Sequence, residues 1–242
     1  MPFNHLEDTL DNEHILSYLE FCGELQEPTR TVLGYTLDIA SHLHSQGISD
    51  NYSVFGGYAV LSHLMNTFGD SVAKTWRGST DIDMGGACNV LNSIRSGYHL
   101  SSDLLSPNLK DKRTLKLDIS GERECKIDFY CNDPGKKYGL SQINSHFGIP
   151  LRVVKPEFII QGKLKTPVEE FQHYEDILGM LAVLEKKGYS PMEISKFFSH
   201  GEINELQNRI IIADHELRNS RFGIFPKTKF FEELKKQLHR RN

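Results

Sequence analysis

The sequence predicts an α+β chain: a small mixed β-sheet core flanked by helices over residues 1–155, then an all-helical bundle over residues 156–242. Two observations carry this expectation. Short apolar runs bounded by Gly, Pro, Asn and Asp, which read as strands, all fall before residue 155. After Pro156 the apolar residues recur at helical spacing, with helix-start signals between the segments. A chain of 242 residues is long enough for two such lobes.

The elements follow in order. Glu27 and Pro28 open a helix that runs to about Gln46, with Leu33, Leu37 and Ala40 on one face. Tyr52–Phe55 reads as a short strand, which Gly56-Gly57 breaks; a helix follows from about Tyr58 to Phe68, with Ala59, Leu64 and Phe68 apolar. Thr80–Met84 reads as a second strand, closed by Gly85-Gly86. Leu115–Ile119 and Lys126–Tyr130 form a predicted hairpin around Ser120, Gly121 and Glu122, and Asn132-Asp133-Pro134-Gly135 ends it as a turn. Val153-Val154 lies in a further short strand. The helices expected beyond it are Glu157–Lys165, Val168–Lys187, Ser190–Ser199, Glu202–Leu217 and Lys227–His239. Tyr174, Ile177, Leu181 and Leu184 share a face of the second, and Ser190-Pro191-Met192-Glu193 has capping-box form.

Composition narrows the function classes. The net charge of −4 and pI of about 6.3 provide no global basic field, so a polynucleotide partner needs a local patch. Lys227, Lys229, Lys235, Lys236, Arg240 and Arg241 could form one, or line the solvated face of a helix that also carries Glu232 and Glu233. The first residues have no signal-peptide pattern, and no apolar run approaches the roughly 20 residues of a membrane span. A cytoplasmic protein with no membrane partner is expected. Cys22, Cys88, Cys125 and Cys131 form no CxxC pair and are expected as reduced, mostly buried thiols.

The chemistry is concentrated in Thr80-Asp81-Ile82-Asp83-Met84. Residues two apart on a strand point to one face, so Asp81 and Asp83 present paired carboxylates while Ile82 faces the core. Such a pair repels itself unless a cation sits between, and Mg²⁺ is held by one or two carboxylates plus substrate phosphates. Asp128, mid-strand in Lys126-Ile127-Asp128-Phe129-Tyr130, supplies a third acid if its strand lies beside the first. Three converging acids suit two metal ions about 3.5–4 Å apart, clamping the attacking and leaving oxygens of an in-line displacement. Gly56-Gly57 lets the backbone approach a ligand, and the helix after it offers unpaired N–H groups to phosphate. Each feature taken singly has a plain structural explanation; the joint pattern points to phosphate chemistry.

Phe55-Gly56-Gly57, the helix, Asp81-Ile82-Asp83 and the later Asp128 together resemble the signature of polymerase-β-type nucleotidyltransferases. Arg77 with Ser79-Thr80 before the acid pair is most similar to the AbiEii-like group, which includes toxins of bacterial toxin–antitoxin systems. Pro156-Glu157-Phe158-Ile159-Ile160 through Lys163-Leu164, and Tyr174-Glu175-Asp176-Ile177-Leu178, resemble two helices of that group. The sequence departs from the pattern at Tyr58, where Ser or Thr is usual, in the long gap from Gly57 to Asp81, and at Gln172-His173.

The resemblance implies a Mg²⁺- or Mn²⁺-dependent transfer of a nucleoside monophosphate from an NTP to a hydroxyl of tRNA or protein, with an antitoxin as a further partner. It implies Asp81, Asp83 and Asp128 as metal ligands and catalytic acids, with Lys163 on the triphosphate and Asp176 assisting. Gly56, Gly57, Arg77, Ser79 and Thr80 would line the phosphates. Antibiotic modification, a non-catalytic nucleotide-binding module and a metal-dependent phosphohydrolase are the alternatives.

Overall fold

Tyr52–Phe55 (β1) runs straight into a helix, Gly56–Phe68 (α3), and Asp81–Gly86 (β2) returns antiparallel beside it. The computed structural model describes residues 5–76, 78–98, 100, 104–105, 112–119, 123–131, 140–166, 172–216 and 229–241. The chain divides into two compact units, Met1–Ser62 with Gly78–Val154, and His63–Arg77 with Lys155–Asn242.

The first unit is α+β, as the sequence predicts. Among the described residues its sheet has seven strands in the order β3-β4-β5-β2-β1-β7-β6. The remaining strands are Leu104–Leu105 (β3), Lys112–Ile119 (β4), Arg123–Cys131 (β5), Ser141–His146 (β6) and Ile149–Val154 (β7). The sheet is mixed: β2 runs parallel to β5, and β1 parallel to β7, while the other pairs are antiparallel. One face is dry. Val54, Ile82, Met84, Ile127 and Phe129 lie on it, none more than 1% exposed. Thr29–Ser45 (α2) packs on β2 and β7, and Cys88–Gly97 (α4) on β5.

Several elements differ from expectation. Gly56-Gly57 ends β1 as expected, but α3 starts at Gly56 rather than near Tyr58, because Gly56 takes a φ of 66° that swings strand directly into helix. β2 continues past Met84 through Gly85 and Gly86, which pair with Ser53 and Tyr52 of β1. The β4–β5 hairpin is longer than expected, and its turn at 120–122 and the turn at 132–135 lie outside the described residues. Val153-Val154 ends a six-residue strand hairpinned to β6 through Phe147 and Gly148, both at positive φ. Asn12–Gly23 (α1) and α4 are helices the sequence reading did not assign. Of the apolar residues noted in α3, Ala59 and Leu64 are buried but Phe68 is 40% exposed. Cys22 and Cys125 are buried free thiols that burial pushes up to about 11 and about 12, but Cys88 is exposed and Cys131 half-buried.

On the dry face Asn144 Nδ2 donates to Ser62 Oγ at 2.9 Å, and Ser62 Oγ lies 2.7 Å from His146 Nε2. All three are buried, and burial pushes the His146 imidazole down to about 4. This polar cluster ties the first half of α3 to β6.

Every described element of the second unit after residue 155 is helical: Pro156–Leu164 (α5), Gln172–Lys186 (α6), Pro191–Ser195 (α7), His200–Glu216 (α8) and Lys229–Arg241 (α9). The expected helix from Val168 begins, in the described residues, at Gln172; Lys227 lies outside them. The capping box at Ser190 and Glu193 is present, but α7 stops at Ser195 rather than Ser199. Ser199 starts α8 instead, by exchanging hydrogen bonds with Glu202. Tyr174, Ile177, Leu181 and Leu184 are all buried. Arg209, 1% exposed, bonds Glu205 at 2.6 Å and the Thr166 carbonyl at 2.7 Å, with its guanidinium 5.0 Å from the Tyr174 ring centre. No helix among the described residues is long and apolar enough to cross a membrane.

Candidate functional site

Register places the acids. Asp83 stands opposite Phe55 of β1 on one side and level with Asp128 of β5 on the other. Asp81 is level with Lys126. Alternation then sorts the faces. Ile82, Met84, Ile127 and Phe129 point into the dry core, while Asp81, Asp83 and Asp128 are half-buried on the opposite face. One carboxylate oxygen from each acid lies within 4.8 Å of those of the other two. The two-residue spacing and the parallel β2–β5 pairing together produce this convergence.

Hydroxyl groups orient two of the acids. Ser79 Oγ donates to Asp81 Oδ1 at 2.9 Å, and Thr114 Oγ1, on β4, donates to Asp128 Oδ1 at 2.7 Å. Asp83 is set by a missing side chain: a Cβ on Gly56 would stand 2.8 Å from its Cγ. The first turn of α3 therefore touches the carboxylate that neighbours both others, Asp81 two residues away on β2 and Asp128 level with it on β5. Field effects are visible one layer down, where the Asp81 charge adds to burial in raising the Cys125 thiol.

The donor set fits a hard divalent cation. All three groups are carboxylates, the ligand type Mg²⁺ and Mn²⁺ prefer. Ligands of one Mg²⁺ at about 2.1 Å are at most about 4.2 Å apart, so small rotations bring these oxygens onto one ion, or they divide between two. Like charges held this close repel, and a cation between them removes the repulsion.

Of the other residues singled out in the sequence, Gly57 is in the first turn of α3, Ser79 is half-buried against Asp81, and Thr80 is exposed. Arg77 lies outside the described residues. Lys163 of α5 and Asp176 of α6 belong to the second unit, where Nζ meets Oδ2 at 2.8 Å with Asp176 fully buried. The sequence reading missed Thr114, Lys126 and Tyr130. Lys126 is exposed beside Asp81, and its alternation with Asp128 and Tyr130 is the signal that could have found two of the three.

Gly56→Ala tests this geometry. The φ of 66° costs an alanine about 1–3 kcal/mol, and the added methyl group displaces the Asp83 carboxylate. A lower denaturation midpoint and weakened Mn²⁺ binding by calorimetry are expected. Native stability with native Mn²⁺ affinity would mean that Asp83 does not rest against this turn.

No family model matches the sequence, and no curated protein matches it. Among solved structures the chain is similar to an antigenic nucleotidyltransferase-like protein from Paracoccidioides brasiliensis, at 14% identity and a TM-score of 0.46, over 83% of this chain and 95% of that one. It is also similar to the Megavirus polyadenylate synthase, at 10% identity and a TM-score of 0.34, over 95% of this chain but only 54% of that one.

Proposed function

We propose that this chain is a divalent-metal-dependent nucleotidyltransferase, moving a nucleoside monophosphate from an NTP to an acceptor hydroxyl. The observation that carries the reading is the cluster of three carboxylates on one sheet face, with the glycine turn of a helix against the central one. The resemblance of Phe55-Gly56-Gly57, Asp81-Ile82-Asp83 and Asp128 to the nucleotidyltransferase signature supports it as well, with the departures at Tyr58 and in the Gly57–Asp81 gap noted above.

Asp81, Asp83 and Asp128 would hold the metal, which when bound offsets the charge of the triphosphate and of the attacking and leaving oxygens. The N–H groups of Gly56 and Gly57, at the positive end of α3, would orient the phosphates, while Asp81 and Asp83 serve as ligands of the cation. The acceptor oxygen attacks the α-phosphorus, the bond from that phosphorus to the bridging oxygen breaks, and pyrophosphate leaves. Asp128 takes the proton of the attacking hydroxyl. Ser79 and Thr114 keep their acids aimed through the reaction. Arg77 and Thr80 are assigned to the phosphates, Lys163 to phosphate charge and Asp176 to holding Lys163. The acceptor class follows the resemblance: a tRNA or protein hydroxyl, in a toxin restrained by an antitoxin.

The test is incubation with each labelled NTP, Mg²⁺ and cell extract, then separation of RNA, protein and small molecules. Label in RNA or protein, with pyrophosphate released, is expected from the native chain and not from Asp81→Ala/Asp83→Ala. Label in a small-molecule fraction would assign the acceptor to drug-like hydroxyls instead. Equal transfer by the double variant sinks the assignment.

A further inference from the structure

Phe55 and Tyr130 share the sheet face of the three acids. Phe55 stands directly opposite Asp83, and Tyr130 is two residues beyond Asp128, about 7 Å along the strand. They come from strands on either side of β2, yet their ring centres are 5.3 Å apart. The rings can meet across β2 because Gly85, level with Tyr130, has no side chain there. Both residues are half-buried, and the rings are tilted by 58°, so together they form a wedge rather than a flat plate. The charged and hydroxyl side chains around them, Asp81, Asp83, Thr114, Lys126 and Asp128, are all polar.

We propose that this wedge is the seat of a nucleobase, that of the triphosphate whose phosphates the acids hold; the inference rests on the transferase reading above. Three features support it. An NTP carries its base one sugar away from the phosphates, and Phe55 stands one strand over from Asp83 while Tyr130 stands two residues along from Asp128. A tilted pair offers one ring face for stacking and the second ring's edge to close the side. Stacking on aromatic side chains accepts any base, because every base has a π face. The wedge therefore fixes the position of the nucleotide without selecting among the four.

The experiment is calorimetric binding of each NTP, and separately of inorganic tripolyphosphate, to the full chain with Mg²⁺. Stacking on one ring is worth enough to change affinity about 10-fold or more. Native protein is expected to bind all four NTPs more tightly than tripolyphosphate. Tyr130→Leu, which keeps apolar bulk but loses the ring, should weaken every NTP about 10-fold and leave tripolyphosphate unchanged. Tyr130→Phe should restore the NTP affinity, and Phe55→Leu should resemble Tyr130→Leu. Mn²⁺ binding by each variant confirms that the acids are still assembled. Equal native affinity for NTP and tripolyphosphate overturns the wedge while leaving the transferase reading intact. So does a Tyr130→Leu variant with unchanged NTP affinity, including one whose only defect is a raised KM for an RNA acceptor. Native protein that binds neither ligand overturns both.

Discussion

Asp128→Asn should slow nucleotidyl transfer about 10³-fold while leaving the fold unchanged. The substitution is isosteric, and the residue lies between Ile127 and Phe129, whose burial holds the strand in place. Thr114 Oγ1 donates to Asp128 Oδ1 at 2.7 Å, and the amide oxygen of Asn satisfies that donor equally well. The amide nitrogen must then face the cluster. A donor with partial positive charge replaces one of the three anionic groups gathered within 4.8 Å, so the metal ligand and the proton acceptor proposed for this position are lost together. Loss of a general base alone costs about 10²–10⁴ in rate, and a missing ligand adds to it. Thr114→Val is the graded control: it keeps the carboxylate but frees its orientation, and a loss of about 10-fold is expected from removing one positioning hydrogen bond of about 1.4 kcal/mol. Single-turnover rates with saturating Mg²⁺ and NTP read both effects. Native turnover by Asp128→Asn would remove this residue from the chemistry.

The acids were legible because each sits in an alternating strand with a buried partner. Ile82 and Met84 flank Asp83, and Ile127 and Phe129 flank Asp128, so period-two spacing alone assigns all three carboxylates to open faces. That β5 lies beside β2, and parallel to it, depends on contacts more than 40 residues apart in sequence, which no local pattern encodes. Thr114 was hidden for the same reason: its bond to Asp128 exists only in the β4–β5 register. Gly56 was visible as a glycine, but its clearance for Asp83 is a tertiary fact. Elsewhere the patterns misled. In β6 the usual alternation is inverted, with Ile143 60% exposed and Asn144 and His146 buried against Ser62, so hydrophobicity gives no strand signal. In α1 Leu16 and Leu19 are exposed, which blurs the apolar stripe, and α4 buries only Val90, Leu91 and Ile94 in ten residues.

Lys163→Met should destabilise the second unit by about 3–5 kcal/mol, the cost of removing one partner from a buried ion pair. Lys163 Nζ is 2.8 Å from Asp176 Oδ2, with the lysine side chain 12% exposed and the aspartate fully buried. The methionine fills most of the volume of the lysine stem, so the loss is electrostatic: a carboxylate stays in the interior without the cation beside it. Lys163→Met/Asp176→Leu removes the charge together with its counter-ion, and an apolar replacement of a buried pair is commonly near neutral. The double variant should therefore recover most of the denaturation midpoint, giving a large coupling between the two positions. A single-variant loss under about 1 kcal/mol would mean that solvent screens the pair as it screens surface salt bridges. The same double variant separates folding from chemistry. If the pair serves packing alone, a refolded double variant transfers nucleotide at the native rate. If Lys163 carries the phosphate-binding role proposed for it, the double variant is stable and slow, because Met offers phosphate neither charge nor a donor.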